Sequence, residues 1–212
     1  MICVSLAELN FPDCLKAIAS AECAEIRLDL SHFNREEIAE LFSQKPVLIA
    51  TCRPGPFKLD QRREILATAI TAGATYVDIE FDAEETFREH LTELAHKNDC
   101  GLILSYHNFK ETPALAVLQQ IVEDCFARQA DIAKIACQVQ SLNDSARLLS
   151  LYDTDKTIIA LGMGGAGQIT RIAATLLGAP FTYAALGPGR ETADGQIDKD
   201  RLENLLKLLK NV

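Results

Sequence analysis

Eight short β-rich runs, each followed by an amphipathic helical pattern, predict an α/β fold: a closed (β/α)8 TIM barrel in a single domain over residues 1–212. The units average about 26 residues and fill the chain, which leaves no room for a second domain. Strands separated by helices must run parallel through crossover connections. Eight such units favour closure; an open doubly wound sheet is the structural alternative.

The strands are read in order at Ile2–Ala7, Ala24–Leu30, Pro46–Arg53, Thr75–Phe81, Gly101–Asn108, Asp131–Val139, Lys156–Met163 and Phe181–Gly187. Helix starts are signalled by Asn34 before Arg35-Glu36-Glu37, by Asp60, by Thr112 before Pro113 and by Asp198. Glu84–His96 gathers Phe87, Leu91, Leu94 and Ala95 on one face. Asp198–Lys210 gathers Leu202, Leu205, Leu206 and Leu209 at i, i+3, i+4, i+7. No linker, low-complexity tract or longer repeat interrupts the alternation.

Composition narrows the function classes. The chain is 48% hydrophobic and 24% charged, ordinary for a globular protein, with net charge −9. That charge argues against nucleic acid and anionic membranes as partners. No apolar run reaches the roughly 18 residues of a membrane span, and no signal peptide is expected. The seven cysteines are scattered, and none forms Cys-x-x-Cys. Cys3, Cys52 and Cys137 read as core residues in a reducing cytoplasm.

Buried parallel strands normally read as continuous Val/Ile/Leu runs. Here the strand ends carry charge in one consistent way. Glu25, Arg27 and Asp29 alternate on the second strand, Thr51 and Arg53 on the third, Asp78 and Glu80 on the fourth, and Ser105 and His107 on the fifth. Alternation sends each set to one face, at the barrel end where active sites are built. Any one pair would read as a salt bridge. The whole set reads as a site for a charged, polyhydroxylated small molecule, since each uncompensated buried charge costs several kcal/mol.

Lys134 is the sharpest signal. It sits in Ile132-Ala133-Lys134-Ile135-Ala136, an apolar run with no partner nearby in sequence. Burial of that kind yields a neutral amine, a nucleophile toward carbonyl carbon. The preceding strand ends on His107, so Schiff-base chemistry with acid–base help is one reading; a structural lysine paired with an acid on another strand is the other.

Gly162-Met163-Gly164-Gly165-Ala166-Gly167 matches G-x-G-x-x-G, but the next strand ends Ala184-Ala185-Leu186-Gly187 without the acidic residue a dinucleotide site needs. Anion capture fits better, with free backbone N–H groups at a helix start and Arg171 in its first turn. Residues 186–196 form a polar, Gly-rich segment that reads as a mobile lid or an ordinary loop. His32, His90, His96 and His107 are not at metal-ligand spacing, and neither a metal nor a cofactor is expected.

These residues, in this order, resemble the type I 3-dehydroquinate dehydratases. The resemblance lies in Glu25-Ile26-Arg27-Leu28-Asp29, Thr51-Cys52-Arg53, Ser105-Tyr106-His107-Asn108-Phe109, Lys134-Ile135-Ala136, Met163-Gly164 with Thr170-Arg171, and Gly195-Gln196-Ile197. It implies that Lys134 forms an imine with the C3 ketone of 3-dehydroquinate. His107 would then remove the C2 proton and protonate the departing C1 hydroxyl, giving 3-dehydroshikimate. Arg171, Thr192 and Gln196 would hold the carboxylate; Glu25, Arg27 and Arg53 would hold the hydroxyls and shape the charge. A histidine near its ordinary pKa suits both proton transfers. A homodimer is what the resemblance suggests. Phe57 replaces a glutamate that some members carry near the histidine, and Glu80 is the expected substitute for orienting His107. Another Schiff-base barrel lyase, such as a class I aldolase, and a nucleotide-binding module are the rival readings.

Overall fold

Each apolar run pairs in parallel with its neighbour because a helix intervenes between every two strands. A computed structural model describes residues 1–210, with the Lys210 side chain, Asn211 and Val212 outside the description. The elements are β1 (Ile2–Leu6), α1 (Phe11–Ala19), β2 (Cys23–Arg27), α2 (Arg35–Phe42), β3 (Val47–Thr51), α3 (Leu59–Thr71), β4 (Tyr76–Glu80), α4 (Glu85–Lys97), β5 (Gly101–Asn108), α5 (Leu115–Ala127), β6 (Ile132–Gln138), α6 (Leu142–Ser150), β7 (Ile158–Met163), α7 (Gln168–Ala173), β8 (Thr182–Ala185) and α8 (Lys199–Lys210). Strand order is β7-β6-β5-β4-β3-β2-β1-β8. β8 closes back on β1, with Ile2 opposite Thr182. The result is a nearly closed, single-domain (β/α)8 TIM barrel.

Period-two alternation divides the strands between two cores. Ala133, Ile135 and Cys137 of β6 face outward onto the helices, with Ala24, Ile26, Leu48, Val77 and Leu104 of neighbouring strands. The opposite faces point into the barrel. There the first inward residues are apolar: Cys3, Cys23, Ile49, Ile103, Ile132 and Ile159. On β2 to β6 polar residues follow at inward positions, whereas β7 continues with Leu161 and Met163. Glu80 lies opposite Ser105, and Ser105 opposite Lys134. The barrel floor is therefore hydrophobic and its C-terminal mouth charged.

Local chemistry accounts for most helix starts. Asn34 caps α2 in a reciprocal pair: its Oδ1 accepts from Glu37 N at 2.9 Å, and Glu37 Oε2 accepts from Asn34 N at 2.8 Å. Asp198 Oδ1 accepts from Arg201 N at 3.0 Å and caps α8. Four readings needed correction. β2 stops at Arg27, and Leu28–Leu30 form a 3₁₀ turn, so Asp29 leaves the strand alternation. β3 stops at Thr51, so Arg53 lies in the loop beyond it. α5 begins at Leu115 because the Thr112 hydroxyl donates to the Gln138 carbonyl at 2.8 Å instead of capping a helix. Leu209 of α8 is exposed, so the buried stripe there ends with Leu206. No helix among the described residues is long and apolar enough to cross a membrane.

Candidate active site

A cavity of about 660 Å³ opens at the C-terminal mouth of the barrel. Glu25, Arg27, Arg53, His107, Lys134, Arg171, Thr192 and Gln196 all line it. They come from β2, β5, β6, α7 and two loops, gathered because every strand points its last inward residues to the same end.

Lys134 is 6% exposed, yet its surroundings are not apolar. Nζ donates to Asp78 Oδ2 at 2.8 Å and lies 3.6 Å from Glu25 Oε1. The ring of Tyr183 on β8 lies beneath it, with its centroid 4.0 Å from Nζ. The expectation of an unpartnered amine is therefore corrected: the partners come from β2 and β4, distant in sequence. Both carboxylates are themselves anchored. Glu25 accepts from Ser5 Oγ and Thr51 Oγ1, each at 3.0 Å. Asp78 Oδ1 accepts from Arg53 Nη2 at 2.8 Å and from Ser105 Oγ at 2.6 Å. Burial alone would raise the Asp78 carboxyl, but Arg53 and Lys134 outweigh it and hold the group well below the usual carboxylate range.

Arg53 forks across the network. Nη1 donates to Glu80 Oε1 at 3.1 Å and to Ser105 Oγ at 2.9 Å. The second oxygen of Glu80 accepts from Arg62 Nη2 at 2.7 Å. Glu80 is thus committed to two guanidiniums, and the expectation that it orients His107 fails. Arg27 donates to both oxygens of Asp29, at 3.0 and 2.6 Å. The 3₁₀ turn after β2 makes that bidentate grip possible.

His107 ends β5 and stacks on Phe109, ring centroids 5.9 Å apart and planes 12° from parallel. Burial first, then the nearby charges of Arg53 and Lys134, push its pKa down to about 3. The ring is therefore neutral at physiological pH, which corrects the expectation of a pKa near the ordinary value. A neutral imidazole can accept a proton, and its conjugate acid is strong enough to hand that proton on.

On the opposite side, Arg171 is 2% exposed. Its Nε has no hydrogen-bond partner, and burial lowers its pKa to about 10, opposed only by Asp194. A desolvated guanidinium held this way is poised for an anion. Beside it Gln196 Nε2 donates to Ser5 Oγ at 3.2 Å, while Gln196 Oε1 accepts from Thr192 N at 2.8 Å. These bonds tie the 186–197 loop to β1.

The glycine turn after β7 does different work from that expected. Gly164 N donates to the Asp194 carbonyl and Gly167 N to the Gly164 carbonyl, so these amides are not free for an anion. A Cβ on Gly167 would lie 2.5 Å from the Gly162 backbone, and one on Gly195 (φ 72°) 2.4 Å from the Gly164 carbonyl. The glycines let three backbone segments touch, and that contact seats Arg171 and the loop. The packing takes Gly164 N and Gly167 N away from any bound anion.

Arg62, Tyr183 and Ser5 were missed in the sequence. Arg62 alone left a signal: it shares the buried stripe of α3 with Leu66, Ala69 and Ile70, at i, i+4, i+7 and i+8.

A family model described as type I 3-dehydroquinase matches residues 2–212. A 3-dehydroquinate dehydratase of Dehalococcoides mccartyi is 39% identical over 204 residues, 92% of this chain and 90% of that protein. Another, of Pyrococcus abyssi, is 34% identical over 198 residues, 90% of this chain and 89% of its own length. The crystal structure of the 3-dehydroquinate dehydratase from Aquifex aeolicus superposes with a TM-score of 0.84 at 29% identity, covering 98% of each chain.

Proposed function

The chain belongs to the type I 3-dehydroquinase family, and on that premise we propose that Lys134 and His107 carry its chemistry. The protein is a hydro-lyase that dehydrates 3-dehydroquinate to 3-dehydroshikimate in the shikimate pathway of aromatic amino acid biosynthesis. The observation that carries the assignment of residues is Lys134 Nζ. It is aimed into the cavity by Asp78 and Glu25, and His107 lines the same space.

Lys134 attacks the C3 carbonyl as its amine; the proton its ammonium gives up leaves with the carbonyl oxygen as part of the water lost, and an iminium remains. The iminium draws the electron pair of the C2–H bond toward nitrogen as neutral His107 takes the proton. The resulting enamine returns that pair to form the C1–C2 double bond, and the C1–O bond breaks. The departing hydroxyl leaves as water with the proton from His107. Hydrolysis of the imine then frees Lys134. The low pKa of His107 makes its imidazolium a strong acid for the second transfer and its imidazole a weak base for the first, which the iminium offsets by acidifying the C2–H bond.

Arg171 and Gln196 hold the substrate carboxylate, with Thr192 fixing the amide of Gln196. Glu25, Arg27 and Arg53 face the hydroxyls. No metal or cofactor enters these steps. The same reading carries a homodimer, and a cytoplasmic setting that fits seven buried, unpaired cysteines.

Adding 3-dehydroquinate and following the absorbance of the conjugated product tests the activity directly. Steady product formation is expected, and a flat trace from folded protein would reject the reading.

A further inference from the structure

We propose that Arg62, a residue of α3 outside the cavity, is a positioning residue for the reaction, acting on Lys134 through Glu80, Arg53 and Asp78. The proposal rests on the dehydratase reading of the site.

Arg62 is 5% exposed and makes contacts in three directions. Nε donates to the Cys52 carbonyl at 2.8 Å, Nη2 donates to Glu80 Oε2 at 2.7 Å, and the guanidinium lies 5.0 Å from the centroid of Phe87. The first bond fixes the backbone directly before Arg53. The second holds Glu80, whose other oxygen accepts from Arg53. Arg53 is thus gripped at its backbone and at its head by the same helix residue. Arg53 in turn grips Asp78, which holds Lys134 Nζ at 2.8 Å. A rigid helix therefore sets where the reactive nitrogen points. The fixed fork of a guanidinium suits two acceptors set this way better than the single nitrogen of an ammonium.

The arrangement also balances charge. Three carboxylates, Glu25, Asp78 and Glu80, meet three cations, Arg53, Arg62 and Lys134. Arg27 and Asp29 neutralise each other. Tyr183 on β8, Cys3 on β1 and His107 on β5, also near Lys134, are neutral, while Arg171 of α7 and Asp82 after β4 line the same cavity as one cation and one carboxylate. β7 presents only Leu161 and Met163 to the cavity. Without Arg62 the cluster carries one surplus negative charge. That surplus favours the protonated forms of both groups the reaction needs deprotonated, holding the ammonium of Lys134 that must give up a proton before attack and favouring the imidazolium of His107. The acid limb of kcat/KM should move to higher pH, whichever of the two sets it.

The test compares pH profiles of kcat/KM for the parent, Arg62→Met, Arg62→Gln and Arg62→Lys, each checked for folding by circular dichroism. The neutral variants should lose tenfold or more in kcat/KM at pH 7, with the acid limb raised by on the order of one pH unit. Quinate, a carboxylate ligand that cannot form an imine, should still bind within about threefold of the parent, since Arg171 is untouched. Arg62→Lys keeps the charge but not the double grip, so its limb should stay at the parent position while kcat falls. A merely structural role would leave the limb unmoved in every folded variant, and that result would overturn the proposal. So would a limb that moves as far in Arg62→Lys as in the neutral variants. Should Arg62→Met fail to fold, the Gln and Lys variants decide by the same criteria. A parent without turnover would sink the dehydratase reading and this proposal together.

Discussion

Replacing Arg171 with methionine should separate stability from binding. The side chain is buried, its Nε is unpaired, and its pKa falls from the ordinary 12.5 to about 10. That drop corresponds to roughly 3 kcal/mol of unfavourable ion burial in the empty site. A substrate carboxylate relieves it on binding. Removing the guanidinium should weaken binding by about 2–4 kcal/mol, the range for losing one partner of a buried charged pair. In affinity that is about 30- to 700-fold. The empty protein should be no less stable than the parent, because methionine fills the space without an unpaired charge. Calorimetric titration with quinate measures the first effect, and thermal unfolding without ligand the second. Quinate binding at parental affinity would refute the reasoning and move the carboxylate site to Arg53 or Arg27. A large loss of stability without ligand would show that Arg171 is a structural ion.

His107→Ala should lose about 10²–10⁴-fold in kcat, the usual contribution of a general acid–base group, while still accumulating imine; near-normal turnover in a stopped assay would reject the shared role. The same variant should change the acid response. In the folded parent His107 titrates near 3, and unfolded near 6.5, so its contribution is complete above pH 6.5 and is lost as pH falls toward 3. Asp78, also depressed, contributes above its ordinary value of 3.8 and loses its share only below that pH. Urea unfolding between pH 6.5 and 4 should therefore show a decline of roughly 2–3 kcal/mol in the parent that is largely absent in His107→Ala; parallel slopes would contradict the depressed imidazole.

Much of the site is legible in sequence because strand alternation is a local property. Glu25, Thr51, Asp78, Ser105, His107 and Lys134 stand out as polar residues at inward positions of apolar runs, and a barrel brings all such positions to one mouth. What surrounds each of them is not local. The partner of Lys134 is Asp78, 56 residues away, so the run around the lysine reads as apolar when its real environment is ionic. The same distance effect hides the depressed pKa of His107, which comes from burial with Arg53 and Lys134 across the barrel. Asp29 was misplaced because a 3₁₀ turn continues the strand's apolar rhythm for three residues. Arg62 escaped notice because helix arginines usually face solvent, although its place in the Leu66–Ala69–Ile70 stripe marks it as buried. The glycine turn misled for a different reason. Its spacing matches a phosphate loop, but the glycines serve contact between Gly162 and Gly167 and between Gly164 and Gly195.

The imine at Lys134 is the centre of the account, and borohydride reduction in the presence of 3-dehydroquinate tests it most directly. Peptide mass spectrometry of the reduced protein should find one substrate-derived mass, on the peptide containing Lys134, and Lys134→Ala should neither turn over nor label. A label on any other lysine, or an active preparation that cannot be trapped at all, would contradict the mechanism.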